Sequence, residues 1–156
     1  MLTLTSEYAL RAVVHLAQIG GGPVTTPSIA ERTKVPVGYL QKILRTLSRA
    51  GILDSQRGVG GGFLLARKPS DITVLDVLSA SDDSIPRIRE CPLGIPDHVR
   101  LCALHRMLDE QLEHLERVFE RTSIADILNQ EDGIRPLCQK VTTNVTMSAG
   151  QTPNKS

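Results

Sequence analysis

Aromatic residues are almost absent from this chain, with no tryptophan, two tyrosines and two phenylalanines in 156 positions, or 3% of the whole. A core must therefore come from Leu, Val, Ile and Ala within the 40% hydrophobic content, and aliphatic stripes of that kind suit packed helices. Cysteine is scarce as well. Cys91, Cys102 and Cys138 form an odd set, which argues against a secreted disulfide framework and leaves metal binding or thiol redox chemistry open. No apolar run is long enough to cross a bilayer. Met1 to Ser6 carries no basic segment and Leu10 to Ile19 is broken by Arg11, His15 and Gln18, so no secretory leader is expected and a reducing cytoplasm is the expected setting.

Net charge is nearly lacking too, at +1, but the total hides an asymmetry. Residues 1–69 hold nine Lys/Arg against Glu7, Glu31 and Asp54, net +6, whereas residues 70–156 hold nine against fourteen acids, net −5. Such a split suggests a half that binds a polyanion, with nucleic acid the leading candidate, and a half with another task. The length suits one compact domain, or a small domain carrying a long helical appendage.

Periodicity predicts a helix over Thr5 to Ile19, with Leu10, Val13, Val14 and Ala17 on one face and Gly20-Gly21-Gly22-Pro23 as its stop. A short helix over Ser28 to Thr33 follows, with Thr26 as the expected cap and Pro27 in the first turn. From Val37 to Ala50 a third helix places Leu40, Ile43, Leu44 and Leu47 on a buried stripe, and Gly51 ends it. Ile52 to Gln56 and Phe63 to Ala66 read as strands flanking the glycine-rich run Arg57-Gly58-Val59-Gly60-Gly61-Gly62. Three helices and a hairpin give winged-helix order, so the expected fold class is mainly α with a small β-hairpin wing.

Farther on, Thr73 and Asp76 have capping-box spacing ahead of a short apolar helix. Residues 82–96 hold too many Pro and Gly for a helix and include Cys91. The longest helix is expected from about Asp97 to Arg121, with Leu101, Leu104, Leu108, Leu112, Leu115 and Phe119 spaced by three or four. Its stripe suits pairing with a second copy or packing on the chain's own helices, and pairing is favoured because the N-terminal part is thin. A short helix over Ile124 to Asn129 begins at Ser123, and the segment beyond Gln139 has the composition of a disordered tail. The expected organisation is a winged helix-turn-helix over 1–81, a sensor loop over 82–97, a dimerisation helix and C-terminal helix over 98–138, and a tail over 139–156.

In a helix-turn-helix the second of the two helices enters the major groove. Here it presents Tyr39, Gln41 and Lys42 near its start, with Arg45 and Arg49 behind them. Gln can pair with adenine, while the basic side chains neutralise phosphates. Arg57 stands before a loop in which glycine allows close backbone approach, so its guanidinium can reach a minor groove. An ordinary solvated helix face and a hairpin without a ligand are the competing readings.

The runs Leu4-Thr5-Ser6-Glu7-Tyr8-Ala9-Leu10-Arg11-Ala12, Val37-Gly38-Tyr39-Leu40 and Arg57-Gly58-Val59-Gly60-Gly61-Gly62-Phe63-Leu64-Leu65-Ala66 resemble the Rrf family of bacterial transcription regulators, over roughly positions 2 to 138. That resemblance implies homodimers on pseudo-palindromic promoter DNA, with helix three in the major groove and the wing arginine in the minor groove. Several members hold an iron-sulfur cluster through three loop cysteines and a further ligand. Cys91 and Cys102 match the first and third of these, but Pro92-Leu93-Gly94-Ile95-Pro96-Asp97 stands where the second would be. The resemblance therefore points to a [2Fe-2S] cluster on Cys91, Cys102, His105 and Glu7, with Glu7 donated by the partner chain and His98 competing for the fourth place. Each residue also has a plain reading. Glu7 can pair with Arg11 at i+4, Cys102 can be a core residue and His105 an exposed one. His15 and His114 read as surface or packing residues, and Cys138 as structural or free.

Expected function is accordingly a homodimeric regulator, by default a repressor, that senses redox, iron-sulfur or nitric oxide status. Alternatives are a cluster-free regulator, controlled by a Cys91–Cys102 disulfide or by a protein partner, and a winged-helix interaction module without DNA binding. A cysteine hydrolase is the enzyme alternative, and nothing in the sequence supplies its oxyanion site.

Overall fold

A computed structural model describes residues 2–91, 100–129 and 134–140. Helix α1 (Leu4–Ile19) starts at Thr3, whose hydroxyl accepts from the Ser6 amide, and ends at Gly20, whose left-handed φ of 69° turns the chain away. Helix α2 (Thr26–Thr33) is capped by Thr25, one residue before the expected Thr26. The Thr25 hydroxyl reaches the Ser28 amide three residues on, and Pro27 is tolerated within the first turn because its missing N–H has no intrahelical partner there. Helix α3 (Val37–Arg49) buries Leu40, Ile43, Leu44 and Leu47, and Gly51 takes the left-handed turn that follows.

Strands β1 (Leu53–Gln56) and β2 (Gly62–Leu65) pair antiparallel in the register Leu53 with Leu65 and Gln56 with Gly62. The wing is moored by a second contact, since the Val24 and Phe63 amides each donate to the other's carbonyl at 2.9 Å. Gly62 is required at this crossing, because a Cβ there would lie 2.3 Å from the Val24 carbonyl oxygen.

Beyond one 3-10 turn (Pro69–Asp71), helix α4 (Val74–Ala80) begins with the expected Thr73–Asp76 capping box. A second box, Ser123–Asp126, starts helix α6 (Ile124–Leu128). These two capped starts lie side by side. The Val74 amide donates to Thr122 and the Ile124 amide to Ile72, both at 2.9 Å, joining the end of the long helix to the N-terminal core. That core is aliphatic, as the composition demands. Ala9, Ala12 and Val13 of α1 are fully enclosed by Ile29, Leu40, Leu44, Ile72, Val77 and Ile124.

Helix α5 spans Ala103–Arg121, so it begins later than the expected Asp97. Cys102 sits at its cap with extended backbone (φ −64°, ψ 167°), and Arg100 and Leu101 are not helical. Residues 97–99, the rest of the expected first turns, lie outside the described residues, as does the expected tail beyond 140. A small hairpin of β3 (Ile134–Arg135) and β4 (Gln139–Lys140) turns through Leu137 at φ 63°. Periodicity could not announce strands of two residues. No helix among the described residues is long and apolar enough to cross a membrane.

Two buried polar atoms of α1, His15 Nδ1 and Gln18 Oε1, lack a hydrogen-bond partner among the described residues. His15 is only 7% exposed. Burial, reinforced by the positive charge of Arg32, holds its pKa below the usual histidine value. The unfolded chain therefore binds the proton more readily than the folded one, so stability is highest above the ordinary histidine range and falls as pH drops through it. Urea midpoints should decline from pH 7.5 to pH 5.5 in the natural protein, and the decline should be shallower in His15→Gln. Equal slopes would show that His15 carries no such linkage.

Candidate nucleic-acid interface and sensor segment

The α3 surface follows from its stripe. Burying Leu40, Ile43, Leu44 and Leu47 leaves Tyr39, Gln41, Lys42, Arg45 and Arg49 exposed. Among the described residues, Lys42, Arg45 and Arg49 form no ion pair, so their charge stays free for an external anion. Tyr39 differs from the others. Its hydroxyl is 2.9 Å from Thr5 Oγ1, and its ring meets Tyr8 edge-on at 5.9 Å. It braces α3 against the start of α1, and with Lys42, Thr46, Ser81 and Asp82 it lines a shallow cleft of about 190 Å³.

Arg57 is exposed where β1 ends, and it too is without an ion pair among the described residues. The turn beyond it closes through the Gly61 amide on the Gly58 carbonyl at 3.0 Å. Val59 at the tip is fully exposed. Helix three and the wing thus present their unpaired cations as the sequence anticipates.

In the segment expected to act as a sensor, the structure brings two of the four expected ligands together. Cys102 Sγ lies 3.3 Å from His105 Nδ1, both at the start of α5. This contact is made from the cap, not from within a helical face, because Cys102 precedes the helix. A cysteine sulfur beside an imidazole nitrogen is a donor pair that suits iron, so these residues fit two ligands of an iron-sulfur cluster. Cys91 is a half-buried free cysteine in the loop, and Cys102 an exposed one. Glu7 is engaged elsewhere, in an ion pair with Arg11 Nη2. Arg11 also donates from Nη1 to the Thr33 carbonyl at 3.3 Å and lies 5.6 Å over the Tyr8 ring. Among the described residues of one protomer, no three His, Cys, Asp or Glu side chains gather closely enough to hold a metal. His98 lies outside the described residues, His114 is exposed, and the Cys138 backbone lies in a 3-10 turn, Pro136–Cys138.

One pair was not anticipated in the sequence. Arg87, four residues before Cys91, grips Asp109 with two prongs, Nε to Oδ1 and Nη2 to Oδ2, each 2.8 Å. The Ile88 amide adds a third bond to Oδ1 at 2.8 Å, while Glu113 and Glu116 lie 3.7 and 3.4 Å from the same guanidinium. Hydrogen bonding from Arg87 lowers the Asp109 pKa to about 2, and the same bonds raise that of Arg87. The acids at 109, 113 and 116 share one α5 face, a spacing that would have signalled a cation opposite.

Comparison with known proteins places this geometry. The family model described as Rrf2, iron-dependent transcriptional regulator, matches residues 2–130. An HTH-type transcriptional regulator of Synechocystis sp., slr0846, is 44% identical over 85 residues, 54% of this chain and 58% of that protein, so the match spans little more than half of that relative. The HTH-type transcriptional regulator IscR of Klebsiella pneumoniae is 30% identical over 132 residues, 84% of this chain and 81% of that one. The solved structure of T. potens IscR superposes with a TM-score of 0.67 at 30% identity, covering 82% of this chain and 85% of that one. These relatives are regulators by name and not enzymes. With helix, turn, helix and wing in their order and the family model matching most of its length, the chain belongs to the Rrf2 family of winged-helix, DNA-binding transcriptional regulators.

Proposed function

We propose that the protein is a cytoplasmic, homodimeric repressor that reads promoter DNA with α3 and the wing and senses redox or iron-sulfur status through a [2Fe-2S] cluster on Cys91, Cys102 and His105 of one chain and Glu7 of the other. The Cys102–His105 contact carries the reading, since it sets a thiol and an imidazole together at an exposed helix start with no structural task of their own. The iron-dependent description of the family supports it. When bound, such a cluster supplies reversible one-electron chemistry.

The chain's own residues give a route from sensor to DNA. Glu7 holds Arg11, Arg11 holds the Thr33 carbonyl at the end of α2, and Tyr8 beneath it meets Tyr39 of α3. What Glu7 binds therefore bears directly on the helix-turn-helix. Dimerisation has its own support. Leu104, Met107, Leu108, Leu115 and Val118 of α5 are 40–59% exposed, and α5 buries no residue within its own protomer. An uncovered stripe of this spacing is a natural helix-pairing surface. A thiol-only sensor is the second reading, favoured by the two free cysteines and by the lack of a three-donor group among the described residues of one protomer.

Three predictions follow this reading. Arg57→Ala should weaken specific operator binding by about 1–3 kcal/mol, whereas Lys42→Ala should weaken all sequences alike and flatten the salt dependence by about one unit. Titration of operator and random duplexes across salt concentrations checks both, and unchanged affinity in both variants would remove these side chains from the interface. Leu108→Asp combined with Leu115→Asp should give monomers with poor operator affinity, because two charges would be buried at the pairing surface. A dimer by sedimentation in that variant places the interface elsewhere. Finally, anaerobically purified protein should be coloured and contain iron and sulfide, with Cys91→Ala or Cys102→Ala abolishing both and Glu7→Ala leaving a labile remnant. Colourless, iron-free natural protein supports the thiol reading instead.

A further inference from the structure

We infer that the Arg87–Asp109 clamp is a positioning device that sets Cys91 level with Cys102 and His105. This rests on the sensor reading only for its purpose, not for its geometry. The segment after α4 runs along α5 against the helix direction. Asp83 to Pro86 share a groove with Leu112, Leu115 and Phe119, and Arg87 and Ile88 then meet Asp109, more than two turns nearer the helix start than Phe119. A chain continuing in that direction would approach the level of the α5 start.

Lengths agree with that heading. From Ile88 the three residues to Cys91 reach at most about 10 Å at 3.3 Å each. Seven residues back along α5, from Asp109 to its cap at Cys102, cover about 10 Å at 1.5 Å each. A loop pinned at Asp109 can thus deliver Cys91 to the Cys102–His105 level, and a slip of one helical turn, about 5 Å, would take it out of register.

The clamp is built to prevent that slip. A lone Lys–carboxylate pair would pivot, but the two-pronged guanidinium fixes orientation, and the Ile88 amide on the same carboxylate fixes the backbone itself. Arg87 and Asp109 are 24% and 18% exposed, less than the Glu7–Arg11 pair, and Glu113 and Glu116 deepen the negative seat. Among the described residues, no hydrogen bond or ion pair joins Arg87 or Asp109 to the winged helix. Their placement beside the sensor loop is what calls for an explanation.

Cross-linking in the full-length chain tests the register without any metal. Metal-free reduced protein is treated with dibromobimane, which bridges two nearby thiols, and the Cys91–Cys102 product is identified by peptide mapping of the monomer-sized band. The natural protein should form it readily. Asp109→Asn and Arg87→Met should form it about tenfold more slowly, as a lost orientation predicts, while Arg87→Lys falls between and Glu116→Gln stays near the natural rate. In the same variants, reconstituted with ferrous iron and sulfide, release of iron to a chelator should be faster by on the order of tenfold or more. A natural protein that forms no such product, or clamp variants that match its rate with helix content unchanged, would overturn the clamp. Slower cross-linking in the variants together with natural protein that takes up no iron would uphold the clamp and reject the cluster.

Discussion

A core without large aromatic rings can be filled only by bringing backbones close together, and α1 is where this requirement is met. Ala9 and Ala12 are completely buried, so α2, α3, α4 and α6 can all approach the same helix. Interiors at crystal-like density leave no slack for a larger residue there, and overpacking would push α3 away from α1. That displacement would reach the DNA-reading face, because Tyr39 of α3 is braced on Thr5 and Tyr8 at the start of the same helix. One helix therefore carries the core on one side and the brace of the recognition helix on another.

The second constraint is how two halves of opposite charge are held as one body. Helix α1 of the N-terminal half, net +6, packs against α4 and α6 of the C-terminal half, net −5, and the capped starts of those two helices exchange backbone hydrogen bonds. This junction is short and polar, and each box satisfies amides that would otherwise be orphaned. It fixes the C-terminal end of α5, whose Leu104, Met107, Leu108, Leu115 and Val118 stay exposed. Charge asymmetry then has a structural meaning. Cations on α3 and the wing stay unpaired among the described residues, whereas on α5 Asp109, Glu113 and Glu116 are neutralised within the protomer by Arg87 and Arg117.

Much of this was legible because it depends on neighbours in sequence. The α3 stripe, the Thr73–Asp76 box, the start of α6 at Ser123, the Gly20 and Gly51 stops and the wing hairpin all rest on spacings within a few residues. Errors arose where a local rule had two solutions. Thr25 and Thr26 are both competent caps, and only the reach of the Thr25 hydroxyl to Ser28 decides between them. The start of α5 was placed too early because Leu101 continues the apolar spacing although it stands outside the helix. Long-range pairing could at most be hinted at by spacing, which does not name the partner. Arg87 and Asp109 are 22 positions apart, and Val24 and Phe63 are joined only by the fold. Of the ligand candidates, Cys102 and His105 were legible as neighbours, whereas the engagement of Glu7 by Arg11 was foreseen only as its plain alternative.

The two ion pairs flanking the sensor candidates differ in a way that bears on their use. Glu7 and Arg11 have side chains 47% and 36% exposed, and a pair of that kind contributes no more than ~1 kcal/mol. A stronger electrophile offered by another chain could therefore take the Glu7 carboxylate at small cost, leaving Arg11 with the Thr33 carbonyl and the Tyr8 ring. Arg87 and Asp109 are less exposed, and Asp109 accepts three hydrogen bonds from the loop, two from Arg87 and one from the Ile88 amide, so this pair resists the same exchange. A loosely held donor at the start of α1 and a firmly held loop beside α5 are complementary requirements. In the proposed sensor the first would let the ligand set change, and the second would make such a change felt as movement of α1 against α3 and not lost in slippage of the loop.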